Sequence, residues 1–492
     1  GGNAMKLREP GRTVEEVAAA AVKNAREGAR LAGREAYVAM DIGPSGKLMA
    51  PLGDLGFEQA YELFAGMAAA GERAGADLIL IETMSDTYEV KAAALAAKEN
   101  TSLPVIVTLA FDQRGKLLTG GDIPAAAALL EGLRVDALGF NCGLGPKQVK
   151  ELYAGLRDCC SLPVAINPNA GMPRVEGGRT VFDVGPQEFA EDMEELQAMG
   201  AWMLGGCCGT SPAHIAALVE RCRDRKPLPL PRCTDTVVSS YGRAVSFSTG
   251  PVIIGERINP TGKKLLKQAL RDRDMDYILR EGIAQQENGA HILDVNAGLP
   301  EIDEAAMMGE LVTALQSVTD LPLQIDTADP AALERGMRLY NGKPMVNSVN
   351  GKESSMEAVF PLVRRYGGVV VALTLDEGGI PESARGRLEI ARRIVERAAE
   401  YGIARKDIVV DPLCMAVSSD GNSARTTLEA VRLIKKELGV RTSLGVSNVS
   451  FGLPQREALN ATFFSLALSA GLDGAILNPG SRAMMGIYDT YR

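Results

Sequence analysis

Short runs of apolar residues, separated by stretches with helical spacing, repeat along the whole chain. In the first half, six such runs occupy residues 37–41, 77–82, 104–111, 137–142, 163–167 and 201–206. The segments between them, such as 57–74 and 124–133, carry alanine and leucine at helical intervals. Continuous apolar strands that alternate with helices predict an α/β fold built on a parallel sheet with both faces covered.

The second half repeats this pattern with eight runs, at residues 252–255, 291–295, 322–325, 344–349, 368–375, 407–410, 442–446 and 474–477. Eight strand–helix units in about 230 residues have the count and length of a closed (β/α)8 barrel of the TIM type. A polar residue follows nearly every run. Because the carboxyl ends of the strands form the active-site face of such barrels, we expect a polar site there.

The first half shows fewer strands than a complete barrel. A helix is predicted from Thr13 to about Leu31, opened by a capping box of Thr13 and Glu16, and only twelve residues precede it. Two interpretations fit this count. One is a (β/α)8 barrel that lacks its first two strand–helix units, and the other is an open parallel sheet of six strands. We expect both ends of the chain to be shortened relative to two complete barrels.

A proline-rich segment separates the two halves. Residues 226–231 read Lys-Pro-Leu-Pro-Leu-Pro, and a stretch rich in serine, threonine and glycine follows. Proline-rich spacers are semi-rigid. We therefore predict a first domain at 1–223, a linker at 224–249 and a second domain at 250–492.

Composition limits the class of partner and the compartment. The 492 residues carry a formal net charge of −9, which gives no general attraction for nucleic acid or an anionic membrane surface. No apolar run reaches the ~20 residues that span a bilayer, and the first residues do not form a signal peptide. The eight cysteines include two adjacent pairs and no compact disulfide framework. We expect a cytoplasmic protein whose cysteines are reduced, buried or metal-bound.

Three cysteines stand at predicted strand ends. Cys142 ends one strand, and Cys207 and Cys208 end the last strand of the first half, with glycines on both sides of the pair. Three thiolates on one face could hold Zn²⁺ and leave a fourth position open, where a substrate thiol would lose its proton. The alternative is that these are ordinary buried cysteines. His214, six residues past Cys208, is a weaker candidate ligand.

Six short motifs of the first half stand in a defined order. They are Asp-Ile-Gly-Pro at 41–44, Ile-Glu-Thr-Met-Ser-Asp at 81–86, Leu-Thr-Gly at 118–120, Gly-Phe-Asn-Cys at 139–142, Asn-Pro-Asn-Ala-Gly at 167–171 and Gly-Gly-Cys-Cys-Gly-Thr at 205–210. Over residues 1 to about 223 they resemble the homocysteine-binding barrel of cobalamin-dependent methionine synthases and related homocysteine methyltransferases. The resemblance implies that Cys142, Cys207 and Cys208 bind zinc. It also implies that Asp41 and Glu82 contact the homocysteine amino group, with hydrogen bonding at the strand ends as the alternative.

The polar residues of the second half include no cluster of histidine or cysteine. They stand in Ile-Gly-Glu-Arg-Ile-Asn-Pro-Thr-Gly at 254–262, Asp-Val-Asn-Ala-Gly at 294–298, Ile-Asp-Thr at 325–327, Val-Asn-Ser at 346–348, Asp-Pro at 411–412 and Gly-Val-Ser-Asn-Val-Ser at 445–450. Carboxylates and amides in one pocket suit a flat heterocycle with donor and acceptor edges, such as a pterin. These motifs resemble the pterin-binding barrels of methionine synthase, other methyltetrahydrofolate methyltransferases and dihydropteroate synthase.

This second resemblance covers residues 250–480 and implies a role for each of nine pocket residues. Asp326, Asn347 and Asp411 would hold the pterin edge, Glu256, Asn259, Asp294 and Asn296 would line the pocket, Asn448 would approach the methyl-bearing nitrogen, and Arg456 would contact the benzoyl-glutamate side. The alternative for each Asp and Asn is a cap at the end of a strand. Without a histidine in the pocket, a bound water held by Asp or Asn would favour the protonated nitrogen that methyl transfer requires.

Together the resemblances imply a methyltransferase, the substrate-binding half of a cobalamin-dependent methionine synthase. Methyl would pass from 5-methyltetrahydrofolate to cobalamin, and from methylcobalamin to zinc-activated homocysteine. In the family, a further domain binds cobalamin through an Asp-x-His-x-x-Gly motif, in which neither histidine of this chain stands. A cobalamin-binding domain or partner protein is therefore implied. Two alternatives stay open: a methyltransferase with another thiol and a separate corrinoid protein, and a non-catalytic pterin-binding module.

Overall fold

The computed structural model describes residues 2–8, 11–33 and 35–492. It divides the chain into two units, residues 1–233 and residues 234–492. Both units are α/β structures in which parallel strands alternate with helices. No helix in the described part of the chain is long and apolar enough to cross a membrane.

The first unit is an open parallel sheet flanked by helices. Its strands are β1 Ala39–Ile42, β2 Leu78–Met84, β3 Val105–Leu109, β4 Ala137–Asn141, β5 Val164–Asn167, β6 Arg174–Glu176, β7 Arg179–Val181 and β8 Met203–Leu204. Its helices are α1 Ala4–Leu7, α2 Val14–Leu31, α3 Phe57–Arg73, α4 Thr87–Asn100, α5 Ile123–Gly132, α6 Pro146–Cys159, α7 Pro186–Met199 and α8 Pro212–Cys222. Six strands pair in the order β1-β2-β3-β4-β5-β8, while β6 and β7 form a separate antiparallel hairpin. This confirms the six strands predicted for this half.

Helix starts in this unit follow the capping chemistry of the sequence. The Thr13 hydroxyl accepts a hydrogen bond from the Glu16 amide at 3.1 Å, and the Glu16 carboxylate accepts one from the Thr13 amide at 3.1 Å. This reciprocal pair, predicted from the sequence, satisfies two amides near the start of α2. Asp86 and Asp122 cap α4 and α5 through their carboxylates. These caps fix the residues at which α2, α4 and α5 begin.

The second unit is the closed (β/α)8 barrel that the sequence predicts. Its strands are β9 Val237–Ser239, β10 Ala244–Ser246, β11 Val252–Ile258, β12 Ile292–Asn296, β13 Leu323–Asp326, β14 Met345–Asn350, β15 Val369–Leu373, β16 Ile408–Asp411, β17 Arg441–Gly445 and β18 Gly474–Leu477. Its helices are α9 Lys264–Asp272, α10 Met275–Glu287, α11 Glu304–Leu315, α12 Pro330–Leu339, α13 Glu353–Tyr366, α14 Ala384–Glu400, α15 Ser423–Leu438, α16 Arg456–Ser469 and α17 Arg482–Tyr491, with short 3-10 helices at Arg405–Asp407 and Val446–Ser450. Strands β11 to β18 close in chain order, because β11 pairs with both β12 and β18.

The hairpin of β9 and β10 packs on the amino-terminal end of this barrel. Val238 and Phe247 are buried in one apolar cluster with Ile292 and Met345, the first residues of two barrel strands. Residues 234–249, which the sequence pattern assigned to the linker, therefore lie in the second unit. The barrel end needs apolar cover, and Val238 of β9 and Phe247, just after β10, supply it.

Candidate functional sites

Three thiols meet at the carboxyl-terminal edge of the first sheet. Cys142 follows β4, and Cys207 and Cys208 lie in the turn after β8. The Sγ atoms of Cys142 and Cys208 are 3.8 Å apart, and those of Cys207 and Cys208 are 3.9 Å apart. Tetrahedral zinc with Zn–S bonds of about 2.3 Å requires sulfur–sulfur distances of about 3.8 Å. The three thiols therefore fit zinc, and within the described ranges no other group of three metal-ligand side chains converges in this way.

The segment 167–170, which follows β5, fixes the backbones of both cysteine turns. The Cys142 amide donates to the Asn167 carbonyl at 3.1 Å. The Cys208 amide donates to Oδ1 of the buried Asn169 at 3.1 Å. Because one segment between the two turns holds both of them, the sheet itself sets the positions of the sulfurs. Such supporting contacts orient the ligands of a metal site.

The three thiols of the cluster differ in pKa. A hydrogen bond from the Cys207 thiol is the main cause that lowers the pKa of Cys142 to about 5. The same bond, together with burial, raises the pKa of Cys207. Burial and the Cys142 charge raise the pKa of Cys208. The thiolate form of Cys142 is therefore favoured. A second thiolate is disfavoured, because its negative charge would lie beside that of Cys142. A divalent cation between the sulfurs would favour all three thiolates.

Two carboxylates lie close enough to interact electrostatically with one another, and one of them with the Cys142 thiol. Glu82, near the end of β2, is half-buried, and burial is the main cause that raises its pKa. The charges of Asp41 and Cys142 raise the pKa of Glu82 further, which places all three groups near one another. Asp41 is exposed on the edge strand β1. A bound ammonium group would relieve the repulsion between the two carboxylates.

His214 lies away from the thiols and serves the fold. Its Nε2 is 2.9 Å from the Val184 carbonyl oxygen, and its Nδ1 is 2.9 Å from the Ser211 hydroxyl at the start of α8. Both ring nitrogens are therefore occupied by other partners. His214 is therefore not part of the cluster of metal-ligand side chains, in keeping with its rank as the weaker candidate.

In the second unit, polar side chains from neighbouring strands meet at the carboxyl-terminal end of the barrel. Asn296, Asp326 and Asn347 pair in register across β12, β13 and β14. Asn259 Nδ2 donates to Asp294 Oδ2 at 3.1 Å and to Asp326 Oδ2 at 2.8 Å. Five of the nine predicted pocket residues thus form one connected set. An amide shared by two carboxylates also limits their mutual repulsion.

Burial raises the pKa of three aspartates in this barrel. It raises the pKa of Asp294 to about 6 and that of Asp411 to about 7. Burial, then the Asp294 charge, holds the pKa of Asp326 well above its usual range. Asp294 also accepts a hydrogen bond from the Gln324 amide group at 2.7 Å, and Asp411 accepts one from the Leu413 amide at 2.7 Å. Buried carboxyl groups of this kind favour a ligand with N–H donors.

The turn Val446–Ser450, which carries Asn448, contacts Glu256 of β11. Glu256 is half-buried and accepts a hydrogen bond from the Ser447 hydroxyl at 3.3 Å, and burial raises its pKa. Asn448 follows Ser447 in the turn Val446–Ser450 and is exposed. The side chain of Asn448 is therefore accessible to solvent and to a ligand that enters the barrel mouth.

Arg456 is held at the rim of the barrel. Its guanidinium group donates to the Ser450 hydroxyl and to the Ser447 carbonyl, both at 3.0 Å. It also lies 5.8 Å from the ring centre of Phe451. Arg456 thus braces the turn that carries Asn448, and its exposed position suits a contact with the outer part of a ligand.

Comparison with known proteins assigns each unit to a family. Residues 3–222 match the family described as "Homocysteine S-methyltransferase", and residues 255–478 match the family described as "Pterin binding enzyme". Each family model thus covers most of one unit, the first that of the homocysteine S-methyltransferases and the second that of the pterin-binding enzymes.

The chain resembles longer proteins over nearly its whole length. It is 33% identical over 471 residues to the methionine synthase of Mycobacterium leprae and 33% identical over 466 residues to that of Mycobacterium tuberculosis. Each alignment covers 90% of this chain and 39% of the relative, so the chain spans about two fifths of their length. The apo homocysteine methyltransferase MmuM of Escherichia coli aligns at 27% identity with a TM-score of 0.35, over 42% of this chain and 74% of that one.

Three functional candidates were missed in the sequence. In the homocysteine S-methyltransferase unit, the buried Asn141 bonds to Thr83 through both ends of its amide. In the pterin-binding unit, Lys263 Nζ donates to the Asn259 carbonyl at 3.0 Å, and burial lowers the pKa of Lys263. Asn141 stands directly before Cys142 in the motif at 139–142, which was the one available signal. The partner of Thr83 depends on a contact between β2 and β4 that spacing along the chain does not reveal, whereas Lys263 and Asn259 are only four positions apart.

We predict that Asp411 makes the pterin-binding unit less stable as pH rises. Its folded pKa of about 7 exceeds the unfolded value of about 3.9. The unfolded chain therefore loses this proton first, and stability falls between about pH 4 and pH 7. Asp411→Asn, which can still accept the Leu413 bond, should raise the free energy of unfolding by up to about 4 kcal/mol at pH 8 and by little near pH 4.

Denaturant titration of the transition of this unit at both pH values measures the difference. Asp489→Asn is the control, because Asp489 is exposed in the same unit. A benefit of Asp411→Asn that is equal at pH 4 and pH 8 would contradict a raised pKa of the buried Asp411 carboxyl as its cause.

Proposed function

We propose that the chain binds both substrates of a methyl transfer, homocysteine in its first unit and 5-methyltetrahydrofolate in its second. The observation that carries this proposal is the spacing of 3.8 Å and 3.9 Å between three sulfurs, beside a carboxylate that is sensitive to the Cys142 charge. A thiolate-rich metal site with a nearby carboxylate pair suits a substrate that carries both a thiol and an ammonium group. The similarity of the two units to these two families supports the same pair of substrates.

In the first unit, Cys142, Cys207 and Cys208 would hold zinc. Zinc held there would lower the pKa of a bound substrate thiol, so that its proton passes to solvent and a thiolate nucleophile is present at neutral pH. Glu82 and Asp41 would bind the ammonium group of the same molecule. Their role would be orientation, since a substrate held at both ends presents its sulfur in one direction.

In the second unit, Asp326, Asn347 and Asp411 would bind the donor and acceptor edge of the pterin. Asn448 would lie near the nitrogen that carries the methyl group. This nitrogen releases its methyl group readily only when it is protonated. Water held by Asn448 or by one of the buried aspartates would favour the protonated form, because two of these carboxyl groups have a pKa of about 6 or 7.

The methyl group needs a carrier, because its donor and its acceptor bind to different units. The family resemblance implies cobalamin on a further domain or on a separate protein. We propose such a cobalamin-binding partner for this chain.

All eight cysteines are free thiols, which agrees with the proposed use of three of them as metal ligands. A cytoplasmic location stays a prediction.

We predict about one zinc ion per chain in protein purified under reducing conditions. Cys207→Ala should lose it, because two thiolates cannot replace the three-sulfur site. Atomic emission measures the content. Cys233→Ala is the control, since Cys233 is a half-buried free thiol in the same unit but outside the cluster. Zinc retained in Cys207→Ala, or absent from the unaltered chain, would refute the site.

We also predict that Asp326→Asn weakens the binding of 5-methyltetrahydrofolate by about 10- to 100-fold. The reason is that the N–H donors of the pterin would favour the charged form of Asp326, and a hydrogen bond to a charged acceptor contributes about 1.5–3 kcal/mol, whereas the amide cannot become charged. Titration calorimetry measures the affinity. The exposed Asp489→Asn serves as the matched control. Equal affinities for the two variants would remove Asp326 from the pocket and weaken the pterin assignment.

A further inference from the structure

Two residues at the sulfur site adopt a left-handed backbone conformation although they carry side chains. Thr83 has φ 61° and Cys142 has φ 58°. This conformation is unfavourable for a β-branched residue such as threonine, so the surrounding structure must hold Thr83 there. The pairing of β2 with β3 is interrupted between Ile81 and Met84, the interval that contains Thr83.

The side chain of Asn141 holds Thr83 in this position. Asn141 Oδ1 accepts a hydrogen bond from the Thr83 amide at 2.7 Å, and Asn141 Nδ2 donates to the Thr83 hydroxyl at 2.7 Å. Asn141 is 1% exposed, so loss of either partner would leave a buried polar group without its bond. We call these two residues the Thr83–Asn141 pair.

The Thr83–Asn141 pair joins the two parts of the site. Thr83 directly follows Glu82, and Asn141 directly precedes Cys142. Glu82 is close enough to Cys142 for the thiolate charge to act on its carboxylate. The pair is therefore a short, partly buried link between the carboxylate and one of the metal ligands. A change in the pair alters the separation between them.

We propose that the Thr83–Asn141 pair fixes the distance between the amine-binding carboxylate of Glu82 and the thiol-binding metal site, and so selects amino thiols by their length. This inference rests on the proposed function. Homocysteine has one methylene group more than cysteine between its sulfur and the carbon that bears nitrogen. A pocket of fixed length distinguishes substrates by about 10- to 200-fold for one methylene group. Both members of the pair are positioning residues.

The test compares Thr83→Val with Thr83→Ser in the full, zinc-loaded chain. Valine keeps the branched shape of threonine but removes the hydroxyl that Asn141 binds, whereas serine retains it. Titration calorimetry with three thiols measures the effect: homocysteine, cysteine, and 4-mercaptobutanoate, which is homocysteine without its amino group. Zinc content is measured in parallel.

We expect Thr83→Val to bind homocysteine about tenfold more weakly, with cysteine and 4-mercaptobutanoate changed by less than about threefold. Zinc content should stay the same, and Thr83→Ser should match the unaltered chain within about twofold. Equal weakening for all three thiols, an unchanged preference for homocysteine over cysteine, or loss of zinc would overturn the inference.

The unaltered chain tests the proposed function separately. If it holds zinc but binds homocysteine no better than 4-mercaptobutanoate, then Glu82 does not bind the amine. That result would refute the proposed role of Glu82 and this inference with it. If the unaltered chain prefers homocysteine and Thr83→Val keeps that preference, the proposed function stands and only the role of the pair is refuted.

Discussion

Parallel pairing of successive strands is the constraint on which both sites depend. It turns the carboxyl end of each strand towards one edge, so residues far apart in the sequence meet there. Cys142 and Cys208 are 66 positions apart, yet their sulfurs are 3.8 Å apart. In the first unit, hydrogen bonds from both cysteine turns to the segment 167–170 fix the distance between the two turns. In the second unit, closure of the barrel brings Asn259 between Asp294 and Asp326.

Both sites concentrate groups whose charged forms the fold disfavours. In the first unit, three thiols share one centre, and only the Cys142 thiol has a lowered pKa. In the second unit, burial raises the pKa of Asp294, Asp326 and Asp411. A ligand that brings positive charge or N–H donors relieves this cost. In each site, the charged forms of these groups are therefore poorly stabilised by the protein alone. This distinguishes a preorganised binding site from a polar network that stabilises the fold.

Periodicity was sufficient to predict the six strands of the first parallel sheet and the eight strands of the barrel, because continuous apolar runs and helical spacing are properties of single elements. Local chemistry was sufficient for the capping box of Thr13 and Glu16. The three thiols could be predicted as one cluster because strand ends in a parallel sheet share an edge. The hairpin of β9 and β10 was assigned to a linker, because its burial depends on Val238 and Phe247 reaching the barrel end. His214 and the Thr83–Asn141 pair likewise depend on contacts between elements, which spacing along the chain does not encode.

The central claim is that the first unit prepares homocysteine as a thiolate for methylation, and methylcobalamin added in solution tests it most directly. The zinc-loaded chain should convert homocysteine and free methylcobalamin to methionine, with the loss of the methyl–cobalt absorption matched to the methionine formed. The rate should fall to that of the protein-free solution for Cys207→Ala and stay unchanged for Cys233→Ala. Demethylation no faster than in the protein-free solution, in a chain that carries its zinc, would contradict the account.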